Sequence, residues 1–188
     1  MIYISRPAAE DLASSMHPDG RPGATASPSW DASCVSDLGS RFVESRGEPI
    51  EMDGRLVHLS HVMAPLPAGV LKVRMRAAGD LQQGIGVSAD GGWLTINGEK
   101  SKQFALWTAT APDRVEIDAK PLRGRESLSV RIWNIWKHDY WGSTMAWVSN
   151  AGLLVEPTSD TAVTLHASAG PGGPTFDDLT VDVTFEPA

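Results

Sequence analysis

The chain has 188 residues, 41% of them apolar, enough for one well-buried core and short for two independent ones. Its formal charge of -7, from 23 acidic against 16 basic side chains with no basic run, excludes the Lys- and Arg-rich surfaces that hold nucleic acid or anionic membranes. No apolar span of membrane length occurs, Met1 to Glu10 lacks the pattern of an export signal, and the single cysteine, Cys34, forbids an internal disulfide, so the expected compartment is the cytoplasm.

From Ser5 to about Ser40 the chain is rich in Pro, Gly, Ser, Ala and Asp, with turn-formers at Pro18-Asp19-Gly20 and Arg21-Pro22-Gly23. Residues 1–40 are therefore read as an irregular arm packed on a domain of residues 41–188, with Ala8 to Met16 behind Pro7 as the one stretch suited to a helix. Cys34 has no positive side chain beside it in sequence to lower its pKa and is read as inert.

Beyond the arm a two-residue period takes over. Val70 to Ala77 puts Leu71, Val73, Met75 and Ala77 on one side and Lys72, Arg74 and Arg76 on the other, the pattern of a strand with one dry face. The same reading predicts strands near 56–62, 83–88, 92–97, 103–108, 114–118, 127–136, 143–149, 152–156, 161–167 and 178–185. Asn97-Gly98 is the strongest hairpin signal, because a type I′ turn needs two positive φ values that these residues adopt at little cost. Short strands at this spacing predict an all-β fold, a single β-sandwich of the jelly-roll kind.

The aromatic balance is inverted: seven tryptophans against two tyrosines and four phenylalanines. Four of the seven fall between Trp133 and Trp147. In the strand 127–136 the residues Leu128, Val130, Ile132, Asn134 and Trp136 alternate to the core, which leaves Trp133 beside Arg131 on the other face. Indoles stack on sugar C–H faces, flat aromatics and cations, so a face built around Arg74, Arg76, Arg131, Trp133, Trp141 and His166 is the expected ligand platform. An indole is mostly buried whatever its job, and the competing expectation is that these tryptophans cap a sheet beneath the arm.

The segment Ala169 to Pro174 is a Gly/Pro-rich loop leading into a closing strand with Leu179, Val181, Val183 and Phe185 on its apolar side. Alternation sends Asp177 toward the core and Asp178 outward. A carboxylate so placed must hold a cation, accept N–H bonds or take a raised pKa, unless it caps the turn. Phe176-Asp177-Asp178-Leu179-Thr180-Val181 resembles the last strand of galactose-binding-like jelly-roll domains, the architecture of many carbohydrate-binding modules. The resemblance covers about ten residues closely. It implies sugar binding and a structural calcium held in part by Asp177, with the remaining ligands from an early loop, where Asp31, Asp37 and Glu44 are available. Cofactor-independent cyclases of natural-product pathways are similar in fold type and use acidic side chains as proton donors.

Other constellations carry less. His58 and His61, three apart in one predicted strand, would fall on opposite faces and do not match a cupin-type metal site. No Gly-x-Ser-x-Gly elbow occurs, and the glycines at Gly84, Gly86 and 170–173 lack the following helix of a phosphate loop. Three functions follow as expectations. The first is a small-molecule-binding sandwich that takes a sugar or polyol without an organic cofactor. The second is a cofactor-independent cyclase or isomerase with Asp139, Asp177 and His138 as proton-transfer groups beside a Trp-lined pocket. The third is a structural protein that assembles as a homo-oligomer.

Overall fold

The computed structural model describes residues 37–137 and 142–188. In chain order these form α1 (Leu38–Glu44), β1 (Ile50–Met52), β2 (Arg55–His58), β3 (His61–Leu66), β4 (Gly69–Ala77), β5 (Gln83–Asp90), β6 (Gly92–Ile96) and β7 (Glu99–Ser101). They continue with β8 (Gln103–Trp107), β9 (Val115–Pro121), β10 (Leu128–Lys137), β11 (Thr144–Met145), β12 (Gly152–Ser159), β13 (Ala162–Ser168) and β14 (Leu179–Pro187). The large antiparallel sheet has the order β1-β2-β12-β13-β14-β4-β9-β6-β7, and the small one β11-β10-β5-β8 with β3 also paired to β10. From β3 to β6 successive strands alternate between the sheets, as they do in a jelly roll, and the fold is an all-β sandwich.

Two-residue alternation explains why the layers close. In β4 Leu71 and Val73 are buried while Arg74 and Arg76 are exposed, and in β14 Leu179, Val181, Val183 and Phe185 are buried. These residues meet Ile85, Val87, Val130 and Ile132 of the small sheet in one continuous core. Between β6 and β7, Asn97 and Gly98 take φ values of 49° and 85°, as the hairpin signal requires.

Three sequence-derived elements differ. The predicted strand 56–62 is two strands, because the chain leaves the large sheet after His58 and enters the small one at His61. The predicted strand 143–149 is a strand only at Thr144–Met145, since Trp147 and Ser149 adopt positive φ (61° and 53°), which no strand accommodates. A helix forms at Leu38–Glu44, across the expected arm boundary at 40, capped by the Asp37 carboxylate, which accepts the Ser40 N–H at 2.7 Å. The helix expected at Ala8 to Met16 lies outside the described residues, as does Cys34. No described helix is long and apolar enough to cross a membrane.

Candidate functional site

Arg131 and Trp133 do share the outer face of the small sheet. Arg74, Arg76 and His166 lie instead on the outer face of the large sheet, so the expected single platform is divided between opposite sides of the sandwich. On the large sheet the polar side chains serve one another. Arg76 Nη1 donates to Asp182 Oδ2 at 2.8 Å, the Thr164 hydroxyl donates to Asp182 Oδ1 at 3.0 Å, and His166 Nε2 lies 3.2 Å from Glu156 Oε2. Burial pushes the Asp182 carboxyl up, but the hydrogen bonds from Arg76 and Thr164 and the charges of Arg76 and Arg74 outweigh it and hold the group below the usual carboxylate range.

Trp133 is no open platform either. It is 5% exposed, because its indole lies on Gly86 of the neighbouring strand and Trp147 stands against it with ring centroids 5.3 Å apart. The accessible indole of the pair is Trp147, 47% exposed. At the far edge of the large sheet Trp93 is covered by the ammonium groups of Lys100 and Lys102, 4.8 and 4.5 Å from its centroid. His138, Asp139 and Trp141 lie outside the described residues.

Asp177 points the other way from its expected direction. The strand begins only at Leu179, and Phe176, at φ 59°, turns into a side cluster with Leu38, Phe42, Ile50 and Val57, which throws Asp177 into solvent. Asp178 is the inward group, and its Oδ2 accepts the Ala169 N–H at 2.8 Å, closing the Gly/Pro-rich loop. Of the calcium ligands implied by the closing-strand resemblance, Asp177 is exposed and Asp31 lies outside the described residues. Asp37 is committed to the helix cap, and no group of three or more His, Cys, Asp or Glu side chains is arranged around a metal position among the described residues.

A concave feature that combines apolar and polar groups opens at the lateral mouth of the sandwich, where β8 ends one sheet and β6 and β9 lie near the edge of the other. It is a cleft of about 420 Å³ with Ile96, Leu106, Ala111 and Val115 at its base. Asn97, Trp107, Thr110, Arg114 and Glu116 contribute the polar and aromatic remainder. Its walls are anchored from the interior. Gln83, fully buried, donates through Nε2 to the carbonyls of Asp178 (2.7 Å) and Ala78 (3.3 Å), and its own carbonyl accepts from the Thr108 N–H (3.0 Å) and hydroxyl (2.8 Å). The next turn is fixed by the N–H groups of Thr110 and Ala111, which both donate to the Trp107 carbonyl (3.1 and 2.8 Å). The Lys137 ammonium lies 4.9 Å from the Trp107 ring centroid and is itself held by the Gly142 carbonyl at 3.1 Å and Thr144 Oγ1 at 3.3 Å.

Sequence patterning did not single out Trp107 and Arg114, which line this cleft. Period-two parity puts Phe104 and Leu106 inside and Trp107 outside, a signal that was present, but nothing local says that the mouth of the sandwich lies there. No protein-family model, no curated protein and no solved structure matches this chain.

Proposed function

We propose that this protein is a binding module for a small organic ligand, a sugar or similar polyol, held in the lateral cleft. What carries the proposal is the composition of the cleft lining: the apolar residues Ile96, Leu106, Ala111 and Val115, with Trp107 at the rim and Asn97, Thr110, Arg114 and Glu116 as hydrogen-bonding residues, in about 420 Å³. An indole beside convergent donors and acceptors suits a ring that has an apolar C–H face and hydroxyls at its rim. The resemblance of the closing strand to galactose-binding-like domains favours the same ligand class.

The cyclase alternative needs a desolvated carboxylic acid at the pocket. Asp177 and Glu116 both stand in solvent, which argues against either as that acid, while Asp139 and His138 lie outside the described residues.

The test is thermal unfolding and tryptophan emission of the full chain across a panel of neutral sugars, with hydrophobic polycyclic compounds as the contrast. A ligand present at a hundredfold excess over its dissociation constant adds about 2.7 kcal/mol, which in a chain of this size raises the unfolding midpoint by roughly 5–10 °C. The expected result is such a rise with a sugar, lost in Trp107→Ala. Stabilisation by the hydrophobic compounds alone, with no response to any sugar, overturns the proposal in favour of the cyclase.

A further inference from the structure

Beside the lateral cleft, on the outer face of the large sheet, lies a second cleft of about 240 Å³ whose lining includes Lys72, Arg74, Arg114, Asp182, Thr184 and Glu186. The register of β4 against β9 pairs Lys72 with Glu116 and Val73 with Val115. Its next step brings Arg74 opposite Arg114, the residue before β9, and both side chains are exposed. Like charges directly opposite on adjacent strands are destabilising. Both carboxylates in this cleft are already engaged, Asp182 by Arg76 and Thr164, and Glu186 by Lys72. Glu116 shares the face and stands opposite Lys72. Among the described residues neither Arg74 nor Arg114 has a carboxylate within ion-pair distance. Arg74 does stand opposite Asp182 on β14, whose carboxyl its charge helps to hold low, but that carboxylate's close hydrogen bonds go to Arg76 and Thr164, so the two guanidiniums lie side by side without a close ion pair of their own among the described residues.

We infer that this cleft is an oxyanion subsite in which Arg74 and Arg114 clamp a carboxylate or phosphate, and that the ligand of the lateral cleft is accordingly an acidic sugar. A bound oxyanion removes the repulsion between the two arginines, and each guanidinium presents a planar donor fork that matches carboxylate or phosphate geometry. Arg114 lines both clefts, so the two are neighbours that meet at that side chain, and a ligand of the lateral cleft with an anionic substituent would reach the second cleft past it. Lys72 in the wall is paired with Glu186 and offsets its charge, and Thr184 adds a hydroxyl. The acidic-sugar part of this inference rests on the polyol reading of the lateral cleft. The oxyanion subsite does not.

The experiment follows unfolding of the full chain with inorganic phosphate against chloride at matched ionic strength, then with a hexuronate, a hexose phosphate and the neutral hexose, in the wild type, Arg74→Gln and Arg114→Gln. Both positions are exposed, so the variants keep the fold, which circular dichroism checks. The expected result is saturable protection by phosphate that both variants lose, and protection by an acidic sugar at a concentration roughly tenfold below that of the neutral one, the equivalent of one good charge-assisted contact. In Arg74→Gln that ratio falls to about one. A better response to hexuronate than to hexose phosphate identifies a carboxylate ligand, and the reverse order a phosphate. Protection by phosphate that the arginine variants lose, with no response to any sugar, supports the subsite and overturns the polyol reading. If phosphate acts only as ionic strength does and acidic and neutral sugars protect equally, the oxyanion inference is overturned while the polyol reading stands. Phosphate protection that survives both substitutions also overturns it, since the anion then sits elsewhere.

Discussion

Gly86 and Gly170 each lie beneath an indole. A Cβ at Gly86 would stand 2.2 Å from Trp133 Cε2 and 2.3 Å from Cζ2, and one at Gly170 would stand 2.2 Å from Trp136 Cζ2. Two members of the tryptophan cluster therefore pack against the protein's own backbone. Because Trp133 is confined by Trp147 as well, it has little room to retreat, and Gly86→Ala should cost about 1–3 kcal/mol as an overpacked core does. Urea unfolding should show a lower midpoint at unchanged slope, and a smaller ring in the double variant Gly86→Ala/Trp133→Phe should recover part of the loss. The parity of Trp133 within its strand was legible, since Arg131 and Trp133 do face away from the main core. That a glycine of β5 would lie directly opposite Trp133 was not, because the pairing joins residues 47 positions apart, Trp133 with Gly86.

At the scale of elements, α1 and the loop before β14 form a second, smaller cluster on the outer face of the large sheet. Leu38 and Phe42, four residues apart on the helix, pack with Ile50, Val57 and Phe176. The helix ends on Ser45, whose N–H donates to the Arg41 carbonyl at 2.9 Å, and its start is tied to the 147–150 loop by the Gly39 N–H, which donates to the Ser149 carbonyl at 2.7 Å. Seven residues are too few to be helical by propensity alone, so this helix exists because its apolar side is buried. That explains why the sequence pattern did not reveal it: two apolar residues and a capping aspartate are a weak local signal. Phe176 is the centre of the cluster, and Phe176→Ala should destabilise by about 3–5 kcal/mol. Amide exchange should then accelerate first in α1 and β1, and equal acceleration throughout the core would show that the cluster is not a separable unit.

Across the whole molecule, the passage from one sheet to the other carries a titratable pair. His58 pairs with Leu153 in the large sheet and His61 with Ile132 in the small one, so both rings flank the passage that joins the sheets. Burial pushes the His58 imidazole below its ordinary value; burial also lowers His61, and the charge of His58 adds to that. Arg131, which donates to the Ser60 hydroxyl at 3.2 Å, adds a fixed positive charge nearby. A base whose folded pKa is depressed favours the native state in its neutral form. This contribution is fully present above the unfolded value of 6.5 and is lost as pH falls from there through the folded pKa. The unfolding midpoint should therefore fall between about pH 7.5 and about pH 5.5, and less steeply in His58→Gln/His61→Gln; an unchanged slope in that variant would assign the pH dependence to other groups. Sequence reading expected these imidazoles on opposite faces of one strand, and the break between β2 and β3 is what brings them to the same passage. By itself the sequence determined the all-β class, the inward residues of β4, β10 and β14 and the Asn97-Gly98 hairpin, because strand parity and turn chemistry are local properties. Tertiary structure alone decided that Arg74, Arg76 and His166 face away from Arg131 and Trp133, that Asp178 rather than Asp177 turns inward, and that the cleft opens beside Trp107. The physical reason is that alternation tells in from out relative to a strand's own sheet, whereas a sandwich has two outer faces pointing in opposite directions, and long-range pairing chooses which sheet each strand joins.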